Sequence, residues 1–194
     1  MTTATPTSRS TVPIAPVMRN VYLARSAFAV VWAALLVLTA SSLDSISSPS
    51  ALTVVLLVAY PLVDAVAAAV DHRTAVASRS VPALSVAMTL SLLAAVGLAV
   101  ALGSDLAAVL RVWGAWAIAA GLVQLVVAVG RRGGGGQWAQ ILSGGISVLA
   151  GGSFLAQAGS DAASLASLAG YATLGGLFFL VSAVRLHRSA TATR

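Results

Sequence analysis

From residue 21 onward the chain alternates between long apolar runs and short polar connections. The apolar segments span 21–40, 51–70, 82–102, 106–130, 138–158 and 166–184. Each is close to the roughly 20 residues that a helix needs to cross a hydrocarbon core of about 30 Å. Inside that core a backbone amide finds no water, so each segment is predicted to satisfy its own hydrogen bonds as a helix. The fold class that follows is an all-α membrane protein with six transmembrane helices. Residues 1–20, MTTATPTSRSTVPIAPVMRN, mix Thr, Ser and Pro without helical period and read as a disordered cytoplasmic tail. Residues 21–188 form the transmembrane domain, and 189–194 read as a cytoplasmic C-terminal tail. A cleaved signal peptide is the alternative for the first segment, because Ala40 and Ser42 offer a small-x-small site. That apolar run exceeds the roughly 7–15 residue core of such peptides, so the segment is read as retained.

The polar connections carry a charge pattern. Arg9 and Arg19 precede the first segment, Arg73 and Arg79 follow the second, Arg131 and Arg132 follow the fourth, and Arg185, Arg188 and Arg194 follow the sixth. The intervening connections hold no Arg and one acid each, Asp44, Asp105 and Asp161. Basic residues beside membrane helices are retained on the cytoplasmic side, so both termini are predicted to be cytoplasmic.

Composition agrees with the pattern. With 59% hydrophobic and 8% charged residues, the chain lies outside the usage of soluble domains. A net charge of +6 would point a soluble protein toward nucleic acid, but here the basic residues sit between apolar segments without a basic face or binding motif, which argues against that partner. All eleven basic residues are Arg and all five acids are Asp, which looks like a bias of GC-rich bacterial coding and is a compositional hint only. There is no Cys and no Glu, and His72 and His187 are far apart. No metal site, cofactor or catalytic cluster is therefore expected.

The even-numbered segments resemble one another: AYPLVDAVAAAVDHR at 59, AWAIAAGLVQLVVAVGRR at 115 and GYATLGGLFFLVSAVRLHR at 170. Each has an aromatic residue (Tyr60, Trp116, Tyr171), a small residue five positions on (Ala65, Gly121, Gly176) and an Arg-bearing end. The odd segments match more loosely through Ser26, Ser85 and Ser143. Three repeated helical hairpins follow. Small residues at Gly114 and Gly121, at Gly144, Ser147 and Gly151, and at Ala172 and Gly176 are spaced to bring helix backbones close.

The hairpin repeat, the alternating loop charges and the stretch RVWGAWAIAAGLVQLVVAVGRRGGGGQWAQILSGGISVLAGGSFL at 111–155 resemble the HdeD-like family of short-repeat membrane proteins. The resemblance spans roughly residues 21–188. It implies six inner-membrane helices and a stress-response or envelope-homeostasis role, in particular acid resistance, and it brings no established chemistry. Members show an Arg-Gly pair early in a repeat and an Asp-Gly pair in its second helix. Here Arg25-Ser26 and Asp64-Ala65 keep the charges and replace the glycines.

A charge inside the membrane costs about 2.5–3.5 kcal/mol on insertion scales and is a functional candidate by default. Arg25, Asp64 and Arg111 qualify. At 1.5 Å per residue, Arg25 lies roughly 6 Å and Asp64 about 9 Å from the cytoplasmic face. Matched depth on neighbouring helices predicts an ion pair. Gln124 and Gln140 are placed to join a polar layer at the same level through interhelical hydrogen bonds. Arg111 lies near the external end of segment four, able to snorkel or to meet Asp44, Asp105 or Asp161. The run GRRGGGGQW at 130–138 lacks the strand, Lys and Ser/Thr of a phosphate loop and reads as a cytoplasmic turn. The flanking Arg and His residues suit anionic lipid headgroups. Sparse polar groups favour a structural or interaction role over a membrane enzyme, with a proton-coupled transporter or channel using Asp64 as the alternative. A homo-oligomer or a membrane-protein partner is compatible with either role.

Overall fold

The computed structural model describes residues 14–40, 50–74, 81–130, 138–160 and 163–192. Six helices account for nearly all of them: α1 (Ile14–Ala40), α2 (Ala51–Thr74), α3 (Val81–Ala101), α4 (Leu106–Gly130), α5 (Trp138–Gln157) and α6 (Ala166–Ala192). All six are long and apolar enough to cross a membrane, and the described residues contain no strand. The chain is a six-span, all-α membrane protein. Exposed Leu and Val side chains cover the outside of the bundle, among them Leu38, Val55, Val100 and Leu149. In water such a surface would be a liability, whereas against lipid tails it costs nothing. The tail arginines Arg9 and Arg194, the loop residues Asp44, Asp161, Arg79, Arg131 and Arg132, and the glycine run after Gly130 lie outside the described residues.

Local signals explain where helices begin. Ser50 caps α2, its Oγ accepting the Thr53 amide at 3.2 Å. Asp105 caps α4, its Oδ1 accepting the Ala108 amide at 2.6 Å. These side chains satisfy amides that a helix start leaves without partners. One expectation changes: α1 opens at Ile14, so residues 14–20 are helical and not part of a tail. Pro16 sits in the first turn, where its missing amide proton breaks no intrahelical bond. Met18 is buried in the bundle, Tyr22 stacks on Phe179 of α6 at 6.1 Å, and Arg19 Nη1 meets His187 Nδ1 at 3.3 Å. The far end of α6 likewise continues through 189–192.

Pro61 lies inside α2. It removes the amide that would bond the Leu57 carbonyl. One residue earlier, the Leu56 carbonyl accepts Trp32 Nε1–H from α1 at 2.6 Å, which ties the turn beside the proline to a neighbouring helix.

The helices form a ring in chain order that closes between α6 and α1. The closest-packed neighbours are α4 with α5, α1 with α6, and α2 with α3, while α1–α2 and α5–α6 touch least. Close packing therefore runs between successive predicted hairpins and not within them. The small residues decide this. A methyl group at Gly151 would lie 2.6 Å from the Gly114 carbonyl oxygen, and one at Gly121 would lie 2.7 Å from the Gly144 carbonyl oxygen. Two glycine pairs bring α4 and α5 backbone to backbone. On the other side of the ring, Gly176 of α6 faces Ala29 and Ser26 of α1.

The two halves of the bundle differ. Around the C-terminal ends of the odd helices the interior is solid, filled by Trp32, Leu36, Leu57, Leu98, Leu110, Trp113 and Leu168. Its floor is an aromatic cluster in which Trp32 stacks on Trp113 at 5.4 Å and Tyr60 contacts Trp32 at 4.7 Å and Trp116 at 6.0 Å. The other half, toward the N-terminus of α1, is hollow.

Candidate functional site

Arg25 and Asp64 stand at the boundary between the two halves. Arg25 Nη2 donates to Asp64 Oδ1 in an ion pair, as the matched depths predict. Both lie further from their helix ends than the sequence implies, because α1 starts earlier and α2 ends later than the apolar runs do. Arg25 is eleven residues from the start of α1 and Asp64 ten from the end of α2, about 16 and 15 Å along the axes. The pair is embedded and not isolated. Ser91 Oγ of α3 donates to Asp64 Oδ2 at 2.9 Å, and Trp116 Nε1 of α4 donates to Ser91 Oγ at 3.2 Å. The Arg25 guanidinium lies 4.0 Å above the Phe179 ring of α6, a favourable cation–π contact. Five of the six helices thus meet through one connected set of side chains.

Gln124 and Gln140 form a second set. Gln124 Nε2 donates to the Gln140 carbonyl at 3.1 Å and to its Oε1 at 2.9 Å. Gln140 Nε2 donates to Ser182 Oγ at 2.7 Å, which donates to the Phe178 carbonyl at 2.9 Å. This ties α4, α5 and α6 together, and Tyr171 of α6 adds a bond to Ser147 of α5 at 3.0 Å. Arg111 takes no part. It is exposed on the side of α4, and among the described residues it has no carboxylate in ion-pair contact; Asp105 is engaged as a helix cap.

Between the two sets lies a cavity of about 130 Å³ reached by all six helices. The aromatic residues that mark the even segments, Tyr60, Trp116 and Tyr171, line its deep end. The residues four positions on, Asp64, Ala120 and Gly175, line it too, as do Ala68, Gln124 and Phe179 after four more. One face of each even helix is therefore turned to the same space. Arg25 and Asp64 retain 23% and 17% exposure there. A polar space this size has room for several waters. Asp71, which sequence reasoning did not single out, lines the outer part of the cavity. The signal was available: seven residues after Asp64 is two helical turns on the same face. Ser91 and Ser182 were missed, and Ser147 was read only as a small packing residue, because serine is common in membrane helices and carries no signal of its own. Among the described residues no group of three or more His, Asp or similar ligands could hold a metal ion.

No family model matches the chain, and no curated protein or solved structure does either.

Proposed function

We propose that this chain is a non-catalytic, multi-pass protein of the HdeD-like type, set in a bacterial cytoplasmic membrane with both termini inside, and serving envelope homeostasis under stress such as acid. The observation that carries this reading is the state of Asp64. Both its oxygens are engaged, one by Arg25 and one by Ser91, and a carboxylate held this way is a keystone between helices and a poor general base. Arg19, Arg73, Arg185 and Arg188 at the α1 start and the α2 and α6 ends suit anionic headgroups of the cytoplasmic leaflet.

The absence of cysteine makes the orientation simple to test. A single Ser104→Cys, in the exposed α3–α4 turn, is expected to react with a membrane-impermeant maleimide in intact cells, and Arg188→Cys only after lysis. The reverse pattern ends the N-in, C-in assignment. For the physiological role, a deletion strain is expected to survive acid challenge less well than wild type and to be rescued by the intact gene. Survival equal to wild type removes the acid-stress role.

The cavity supports a second reading, a small proton-coupled transporter or channel using Asp64, because it extends from Asp71 to the ion pair. Proton flux in proteoliposomes, lost in Asp64→Asn, would favour it over the structural role.

A further inference from the structure

Toward the deep end of the cavity the charges cancel. Arg25 and Asp64 both line it there and are paired with each other, and Asp71, nearer the mouth, is not a free charge either. A molecule with a net charge would leave water and meet no unengaged counter-ion inside, which makes its entry costly. The cavity therefore selects for neutral occupants. Its walls are aromatic on four helices, through Tyr22 of α1, Tyr60 of α2, Trp116 of α4 and Tyr171 of α6. Such rings offer faces and edges on which another ring packs favourably. The volume, about 130 Å³, is near the roughly 150 Å³ of a cavity that accepts benzene.

Polar atoms in this lining are left open. The Tyr60 hydroxyl has no hydrogen-bond partner among the described residues. It lies beside Gly175, where an added methyl carbon would stand 3.7 Å from it, and Gly175 lines the cavity too. Two other unpartnered atoms, Trp113 Nε1 and Arg185 Nη1, are sealed off. The Tyr60 hydroxyl is not sealed, so it faces open space. Gln124, also in the lining, spends its amide nitrogen on Gln140, which leaves its side-chain oxygen as an acceptor. A hydroxyl both donates and accepts, and leaving one unengaged away from water is costly. An occupant with a hydroxyl of its own engages it while the rest of its ring covers the aromatic wall.

We propose that this cavity binds a small neutral ring compound that carries one hydroxyl and is about the size of phenol, with its ring against the aromatic wall and its hydroxyl paired to that of Tyr60. The site goes beyond both functional readings above, because a bound neutral ring requires neither transport nor an acid-stress role.

The test is equilibrium binding to the full chain in nanodiscs, followed by titration calorimetry and by the unfolding temperature, with protein-free nanodiscs as the blank for partition into lipid. Phenol is the probe, and benzene, benzylammonium and benzoate are its comparisons. Phenol is expected to bind saturably and raise the unfolding temperature, and the two ions to do neither. Benzene is expected to bind about fivefold more weakly than phenol for want of one hydrogen bond. Tyr60→Phe keeps the ring and removes only the hydroxyl, so it is expected to weaken phenol about fivefold and to leave benzene unchanged, a difference that a purely structural role of Tyr60 would not produce. Ala120→Phe adds bulk to the lining from α4 and is expected to abolish binding of both, and where that variant fails to fold, Tyr60→Phe decides. Equal affinity for benzene and phenol would reduce the site to an apolar hole and end the proposal. Absence of saturable phenol binding, binding of either ion as tightly as phenol, or a phenol affinity unchanged in Tyr60→Phe would each overturn it as well.

Discussion

Asp64→Ala is expected to cost about 3 kcal/mol of stability, and Arg25→Ala about the same, because removing one partner leaves the other charge uncompensated inside the bundle. The range for fully buried pairs is about 3–5 kcal/mol, and the lower end applies here. Each group keeps contact with the cavity, and Arg25 retains the Phe179 face when Asp64 is gone. Asp64→Ala also deprives Ser91 of its acceptor, so it is expected to be the more damaging of the two. The double change Arg25→Met with Asp64→Leu removes both charges and fills the space with apolar atoms, and it is expected to fall within about 1 kcal/mol of wild type, as such replacements commonly do. Reversible unfolding in mixed detergent micelles provides the measurement. Losses that add in the double variant would mean that the two side chains act independently and that the pair holds nothing together.

The second large effect concerns two adjacent glycines. Gly151→Ala places a methyl group 2.6 Å from the Gly114 carbonyl oxygen, 2.7 Å from Ile118 Cγ1 and 2.9 Å from the Ile118 amide nitrogen. Two of those atoms are backbone and cannot turn aside, so α4 and α5 must separate, at a cost of about 2–3 kcal/mol typical of overpacking. Gly152→Ala meets nothing within 4 Å. It is expected to stabilise the helix by up to about 1 kcal/mol, the difference in helix propensity between glycine and alanine. The same unfolding assay should return opposite signs for neighbouring positions. Equal effects would show that the α4–α5 contact is looser than described.

Much of this was legible before the structure. Hydropathy alone marks six spans, because hydrocarbon imposes a length on each helix, and α4 matches its predicted limits. The Arg25–Asp64 pair was readable from depth, since two opposite charges at one level on adjacent helices have little alternative but to meet. Packing order was not readable. Gly114, Gly121, Gly144 and Gly151 announce a close approach without naming the partner, and the choice of α4 with α5 depends on which faces turn toward each other. The cavity was invisible for a related reason. It is made of volume that side chains do not fill, at Ala68, Ala120 and Gly175 among others, and small residues look alike in sequence whether they admit a neighbouring backbone or leave space. Asp71 fell between the two cases, close to an Arg-bearing helix end and yet on the face that Asp64 shares.

The ring closes where α6 packs on α1, with Gly176 against Ala29 and Ser26 and Tyr22 against Phe179. Of these six helices α1 is synthesised before α6, so α1 is made well ahead of the neighbour it packs against most closely. Arg25 spends that interval without Phe179, and Asp64, arriving with α2, is the earliest group able to shelter it. An Arg25–Asp64 contact formed at that stage would give α1 a partner in the nascent assembly before the helix that closes the ring is present.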